Sequence, residues 1–306
     1  MSHATSRPNS LPLRGVIPPL VTPLAGRNQL DLPGLERLIE HVIDGGVNGL
    51  FLLGTSGELA SLGPRVRRDL IARAARLIRG RIPFVVGVTD TCLDETLALA
   101  SHAAVAGAAA VVLTVPYYVP PDQDELIAYV RTVAAGQHLP ILLYNIPALT
   151  KAAFEVETVL RLAEIDKVVG IKDSSGELAY LEEIAGRLPR KDWSLLVGIE
   201  RLFVPAMRAG LHGCVAGGAN VAPRLFAELY AAILNKDQPR IQALESRVNH
   251  LGGIYRVGQG IPAVIRGMKT ALAHLGICSH RMAEPFRAHG DAEREQVRQI
   301  LEALDR

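Results

Sequence analysis

Residues 44–54 read DGGVNGLFLLG: a glycine-rich break, then an apolar run. The pattern returns at 105–115 as VAGAAAVVLTV and at 208–218 as RAGLHGCVAGG, a weak internal repeat. In each, a glycine closes a helical segment, as a left-handed helix C-cap requires. A run short enough for a buried strand follows. Such runs occur at Val16–Val21, Gly49–Leu53, Phe84–Val88, Ala110–Val115, Ile141–Tyr144, Val168–Lys172, Ser194–Val197 and Gly213–Ala216. The segments between them, 32–45, 64–79, 93–106, 122–136, 155–164, 175–188, 200–209 and 222–235, carry apolar residues at helical spacing.

Strands alternating with helices imply parallel pairs joined by right-handed crossovers. Eight such units in roughly 225 residues are the size of a (β/α)8 TIM barrel, an α/β fold. A doubly wound open sheet is the alternative. Its dinucleotide loop would follow the first strand, where this chain has IPPLVTPLAG, which does not match. Beyond about residue 236 the pattern is helical only. The expected organisation is a flexible N-terminal tail over 1–12, a barrel over 13–236 and a C-terminal helical appendage over 237–306.

Hydrophobic residues make up 49% of the 306 and charged residues 21%, enough for a large core. The near-balance of 33 basic and 31 acidic side chains leaves no electrostatic footprint for nucleic acid or an anionic membrane surface. Three cysteines, Cys92, Cys214 and Cys278, form no C-x-x-C pair, so neither a disulfide framework nor a zinc site is expected. The N-terminal MSHATSRPNSLP lacks the apolar core of a signal peptide, and no apolar run is long enough for a membrane span. A cytoplasmic setting is expected.

In such a barrel, chemistry gathers at the C-terminal ends of the strands. Lys172 stands at the end of an apolar strand, in VVGIKDSSGE (168–177). It is either a lysine that snorkels to solvent or a desolvated one. Burial disfavours an ammonium, and a neutral amine is a nucleophile that forms a Schiff base with a ketone. Tyr144 ends the neighbouring strand, within reach of a substrate on Lys172. It is either a proton-transferring phenol or a barrel-lining aromatic. Thr55 and Ser56 offer hydroxyls and backbone N–H groups for a carboxylate, or cap the second helix. Glu58 reads as a structural hydrogen-bond partner, Tyr117 and Tyr118 as packing residues, Asp173 and Ser174 as helix N-caps, and Glu200-Arg201 as a surface pair. Gly217-Gly218 has no Lys or Arg beside it to complete a phosphate site. None of the nine histidines pairs with another at ligand spacing, against a metal-dependent aldolase.

GTSGE (54–58), PYY (116–118), YNIP (144–147) and GIKDSSG (170–176), each at a strand end and in this order, resemble the dihydrodipicolinate synthase / N-acetylneuraminate lyase superfamily. The resemblance covers the barrel and extends to IPAVIRGMKTALAHLGI (261–277). It implies a class I pyruvate-dependent aldolase with no cofactor and no metal. Lys172 would form the imine with pyruvate or a 2-keto acid, and Tyr144 would transfer protons. Thr55 and Ser56 would hold the carboxylate, with Thr55 relaying protons to Tyr144. Tyr118 would enter a neighbouring subunit's site, in a homo-oligomer built as a dimer of dimers. Ser174, Gly198, Glu200, Arg201 and Val215 would complete the substrate-binding set.

Departures from the pattern bear on the substrate. The synthases carry Arg where this chain has Leu149, and the sialic acid lyases carry Asp-Glu where it has Glu200-Arg201. Pro64 and Thr91 replace the His and Asn of the synthases' lysine-feedback pocket. The expected substrate is therefore a 2-keto-3-deoxy sugar acid or a 4-hydroxy-2-oxoglutarate-like acid, with a dehydratase or deaminase using the same imine as a variant. The alternative is condensation of pyruvate with aspartate semialdehyde. A non-catalytic ligand-binding barrel is disfavoured, because Lys172, Tyr144, Thr55 and Tyr118 are all present.

Overall fold

The computed structural model describes residues 11–304. Eight parallel strands form one sheet: β1 Gly15–Val16, β2 Leu50–Leu52, β3 Phe84–Gly87, β4 Ala110–Thr114, β5 Ile141–Asn145, β6 Val168–Asp173, β7 Ser194–Val197 and β8 Gly213–Cys214. Their order, β1-β8-β7-β6-β5-β4-β3-β2, is that of sequentially wound βα units. The two ends of the sheet meet where Pro19 pairs with Phe51, with the Leu20 N–H donating to the Phe51 carbonyl at 2.9 Å. The fold is the (β/α)8 barrel, not an open sheet. The first strand is shorter than its apolar run, because Pro18 and Pro19 have no N–H for a ladder.

The helices outside the barrel are α1 Leu32–Asp44, α2 Pro64–Ile78, α3 Leu93–Val105, α4 Gln123–Gly136, α5 Val156–Ala163, α6 Leu178–Arg187, α7 Phe203–Arg208 and α8 Pro223–Leu234. The glycines of the repeated stretch adopt the expected left-handed backbone, with φ of +85° at Gly46, +82° at Gly107 and +85° at Gly210. A side chain there would be strained, so glycine permits the sharp return from helix to strand. Asp122 and Glu125 form a reciprocal capping box at the start of α4.

Apolar residues fill two layers. Ile17, Phe51, Val85, Val112, Leu142, Tyr144, Leu196 and Val215 pack inside the barrel. A much larger cluster lies between strands and helices. Residues 1–10 of the expected tail lie outside the described residues. Leu11 packs on the barrel's inner cluster, and the Leu13 N–H donates to Ser194 Oγ at 2.8 Å. Among the described residues, no helix is long and apolar enough to cross a membrane.

Past the barrel come α9 Gln238–Leu251, α10 Pro262–His274 and α11 Asp291–Leu304, with a 3-10 turn at Gly252–Arg256. The second of these helices is anchored by a buried ion pair. The side chains of Lys269 and Glu58 are 0% and 1% exposed and hydrogen-bond to each other. Lys269 also donates to the Arg281 carbonyl at 2.7 Å, and Glu58 accepts from the Ala283 N–H at 2.7 Å. Glu58 is thus a structural partner that ties the loop after β2 to the C-terminal helices. Removing one partner leaves the other charge buried, a cost of about 3–5 kcal/mol. Glu58→Ala should lower the melting temperature by that equivalent. A melt matching that of the unsubstituted protein would show that the pair holds nothing in place.

Candidate active site

Register brings the first two residues together. Tyr144 on β5 pairs directly with Lys172 on β6, so both side chains point to the same face, here the barrel interior. Lys172 is only 4% exposed, so it does not snorkel to solvent. Its Nζ lies 3.8 Å from the centroid of the Tyr144 ring and 5.2 Å from that of Phe51. Aromatic faces carry negative potential and suit a cationic nitrogen that has left water.

Close approach to this lysine requires glycine at position 198. A Cβ there would fall 2.8 Å from Lys172 Cε and 2.0 Å from Ser174 Oγ. The Tyr144 and Thr55 hydroxyls lie 3.4 Å apart. Burial pushes the Tyr144 phenol up. The charge on Lys172 and contacts with Thr55 and Ser174 pull harder the other way, and it ends below the ordinary phenol value.

Thr55 and Ser56 do not cap the second helix. That helix begins at Pro64 with Gly63 as its N-cap, because a turn spanning 54–61 intervenes. Among the described residues neither the Thr55 nor the Ser56 N–H has a backbone acceptor, while the N–H groups of Gly57 and Glu58 turn back to Gly54 and Thr55. Asp173 and Ser174 are not N-caps either, since α6 starts at Leu178 after Glu177. Asp173 is buried and accepts from Asn145 at 2.8 Å and from the Ser175 hydroxyl at 2.7 Å. Burial raises its carboxyl above the usual range despite those bonds.

The surface-pair reading of Glu200-Arg201 also fails. Glu200 turns inward, accepting from the Gly218 N–H at 2.6 Å and the Tyr255 hydroxyl at 2.8 Å. Burial raises its carboxyl against these bonds, and burial with the Glu200 charge drives the Tyr255 phenol well above its usual value. Arg201 stays at the mouth.

One cavity of about 550 Å³ gathers Lys172, Tyr144, Thr55, Ser56, Ser174, Gly198, Glu200, Arg201 and Val215. Tyr118 is not at its wall: it stands 93% exposed on the loop after β4, with a left-handed φ of +86°. Sequence reasoning missed Asn249, Tyr255 and Arg256, which line the cavity from the C-terminal region. The signal was the glycine-flanked break GGIYRVGQG (252–260) between two helices. A second hollow of about 320 Å³ lies across Tyr144 and Thr55, lined by Thr89, Thr114, Tyr117, Leu149 and Phe286. Among the described residues, no group of three or more His, Cys, Asp or Glu side chains gathers as a metal site would need.

The electrostatics predict a visible titration. One of the seven tyrosines should ionise below the ordinary phenol range in a tyrosinate absorbance titration. Tyr144→Phe should remove that early transition, and Lys172→Met should move it upward. An early transition that survives Tyr144→Phe would overturn the assignment.

The profile of the dihydrodipicolinate synthetase family matches residues 12–304. A 4-hydroxy-tetrahydrodipicolinate synthase of Phenylobacterium zucineum is 34% identical over 288 residues, 93% of this chain and 95% of the relative. An uncharacterized DapA-like lyase of Halobacterium salinarum is 34% identical over 294 residues, 96% and 95% of the two chains. Among solved structures, dihydrodipicolinate synthase from Bacteroides thetaiotaomicron superposes with a TM-score of 0.92 at 41% identity, covering 96% of this chain and 99% of that one. YagE, a prophage protein of E. coli K12 solved in complex with pyruvate, gives 0.90 at 28% identity over 95% and 98%. The chain belongs to the dihydrodipicolinate synthetase family and is a pyruvate-dependent class I lyase.

Proposed function

We propose that the enzyme makes or breaks the C–C bond between pyruvate and an aldehyde, acting on a 2-keto-3-deoxy sugar acid or a 4-hydroxy-2-oxoglutarate-like acid. The observation that carries the chemistry is the Lys172 nitrogen, itself buried, held 3.8 Å over the Tyr144 ring in the wall of the cavity. The Lys172 amine attacks C2 of the keto acid. Tyr144, with Thr55 as relay, protonates the carbinolamine oxygen, water leaves, and an iminium remains. Tyr144 then takes the proton of the C4 hydroxyl. The C3–C4 electrons flow into the iminium, releasing the aldehyde and leaving an enamine. Protonation at C3 and hydrolysis return pyruvate and the free lysine. The lowered Tyr144 phenol suits a group that must both give and take this proton. The iminium is the electron sink, so the reaction is proposed to need neither cofactor nor metal. The Thr55 and Ser56 N–H groups, which have no backbone acceptor among the described residues, would receive the keto acid's carboxylate.

Leu149 supports the substrate assignment. It lines the cavity where the synthases of the resemblance place Arg, and Lys151 does not replace it, since its Nζ donates to the Ala148 carbonyl at 3.1 Å. A charge-assisted hydrogen bond contributes about 1.5–3 kcal/mol. Its absence weakens selection of aspartate semialdehyde by roughly 10- to 100-fold. The second reading, condensation of pyruvate with aspartate semialdehyde, is favoured by the name of the Phenylobacterium relative.

Tyr118 supports the proposal of a homo-oligomer, and a dimer of dimers is the form that the family resemblance implies. With Val119, 73% exposed, it presents an apolar tip beyond what a lone subunit buries. The hollow beside Tyr144 and Thr55 offers room for a partner's ring.

Borohydride reduction in the presence of pyruvate should add one pyruvate-derived mass to the peptide holding Lys172, and Lys172→Ala should abolish it; label elsewhere, or loss of turnover on adding a chelator, would refute the mechanism. In a comparison of kcat/KM, 2-keto-3-deoxy acids and 4-hydroxy-2-oxoglutarate should exceed aspartate semialdehyde by at least about tenfold. The reverse order would establish the synthase reading. Tyr118→Phe mixed with Lys172→Ala should regain part of the activity on subunit exchange, and a fully active monomer in sedimentation would defeat the shared-site arrangement.

A further inference from the structure

The cavity that holds Lys172 carries more positive charge than a single carboxylate uses. Arg201 and Arg256 both line it, and neither enters any ion pair formed among the described residues. The carboxylate at the same wall, Glu200, is engaged by the Gly218 N–H and the Tyr255 hydroxyl. That second bond has a geometric consequence. Glu200 adjoins Arg201 and Tyr255 adjoins Arg256, so the 2.8 Å hydrogen bond staples the two arginine-bearing segments together. One segment follows β7, and the other is the 3-10 turn between α9 and α10.

Arg201 reaches toward the loop after β6. Its guanidinium lies 3.4 Å from the place a Cβ on Gly176 would occupy, and Gly176 has a φ of +92°. The 3.4 Å is ordinary contact distance, and it lays the Arg201 side chain against the loop that follows Lys172's own strand. On the other side of the cavity Ile146, Ala148 and Leu149 offer no charge.

We infer that Arg201 and Arg256 form a clamp for a second anionic group, so that the substrate is a 2-oxo acid with a carboxylate at its far end. The inference rests on the Schiff-base reading of Lys172. It selects the diacid class over neutral-tailed sugar acids. Glu200 and Tyr255 act as positioning residues, holding the two arginines at one place. Arginine suits the task because its planar fork matches a carboxylate through two parallel N–H bonds.

The test compares 2-oxoglutarate with 2-oxopentanoate, which has the same chain length and a methyl group in place of the distal carboxylate. The concentration giving half-maximal borohydride trapping at Lys172 is measured for each, with pyruvate as the reference arm. The unsubstituted enzyme should favour 2-oxoglutarate by roughly tenfold or more. Arg201→Gln with Arg256→Gln should bring the ratio near one, Arg201→Lys should keep part of it, and Tyr255→Phe, which retains both charges, should reduce it. Pyruvate trapping without a diacid preference, or a preference that survives the double substitution, overturns the clamp alone. Failure to trap pyruvate at all overturns the Schiff-base reading and the clamp with it.

Discussion

The active-site architecture depends on keeping a lysine amine inside a barrel at 4% exposure. A buried ammonium is costly unless its surroundings replace water. Here two aromatic faces do so, from Phe51 on β2 and Tyr144 on β5. Gly198 after β7 gives up its side chain so that the lysine stem can pass. Each contributor comes from a different strand, and register alone makes them meet. A slip of one residue between β5 and β6 would turn either Tyr144 or Lys172 out of the barrel. The large apolar shell between strands and helices opposes such a slip, because it would exchange inward and outward faces along a whole strand.

The helices after the barrel are part of the site and not an ornament on it. Two polar links join them to strand ends. Lys269 meets Glu58 after β2, where the chain has just formed the Thr55-Ser56 turn. Tyr255 meets Glu200 after β7. The first link is fully buried and the second partly so, and a buried polar link is strong only while its partners stay in place. Between them Ile261, Val264 and Ile265 close the cavity on the side away from the barrel floor. Both the Thr55-Ser56 side and the Glu200-Arg201 side of the cavity are thus shaped by the same C-terminal segment.

Much of this was legible in the sequence, for physical reasons that also mark where it stopped. The glycine breaks at 46, 107 and 210 announce helix-to-strand returns because only local backbone geometry is involved. Lys172 stood out because a lysine at an apolar strand end is a local conflict, and such conflicts gather where chemistry is done. Helix starts were less legible. Thr55-Ser56 and Asp173-Ser174 have the composition of N-caps, yet each precedes a turn, and the helices begin at Pro64 and Leu178. Glu200 looked like half of a surface pair because its partners, Gly218 and Tyr255, lie 18 and 55 residues away. No local pattern carries contacts of that range: the glycine-flanked break at 252–260 marks a connection between helices but not that Tyr255 and Arg256 reach the cavity.

On the proposed Schiff-base chemistry, the polarity of the cavity favours one orientation of the substrate. With C2 bonded to Lys172 and its carboxylate at the Thr55-Ser56 turn, the rest of the chain can extend toward one of two walls. Toward β5 it meets Ile146, Ala148 and Leu149, where an unpaired carboxylate would lose hydration with no donor in return. Toward β7 and the C-terminal turn it meets Arg201, Arg256 and Asn249. An acidic tail would therefore lie on the β7 side, away from the wall that desolvates it and beside the two guanidinium groups. Specificity built this way needs no change in the catalytic lysine or tyrosine. It would require only that the positive charge stand on the β7 rim, with Arg201 and Arg256, and not on the β5 side, where this chain has Leu149.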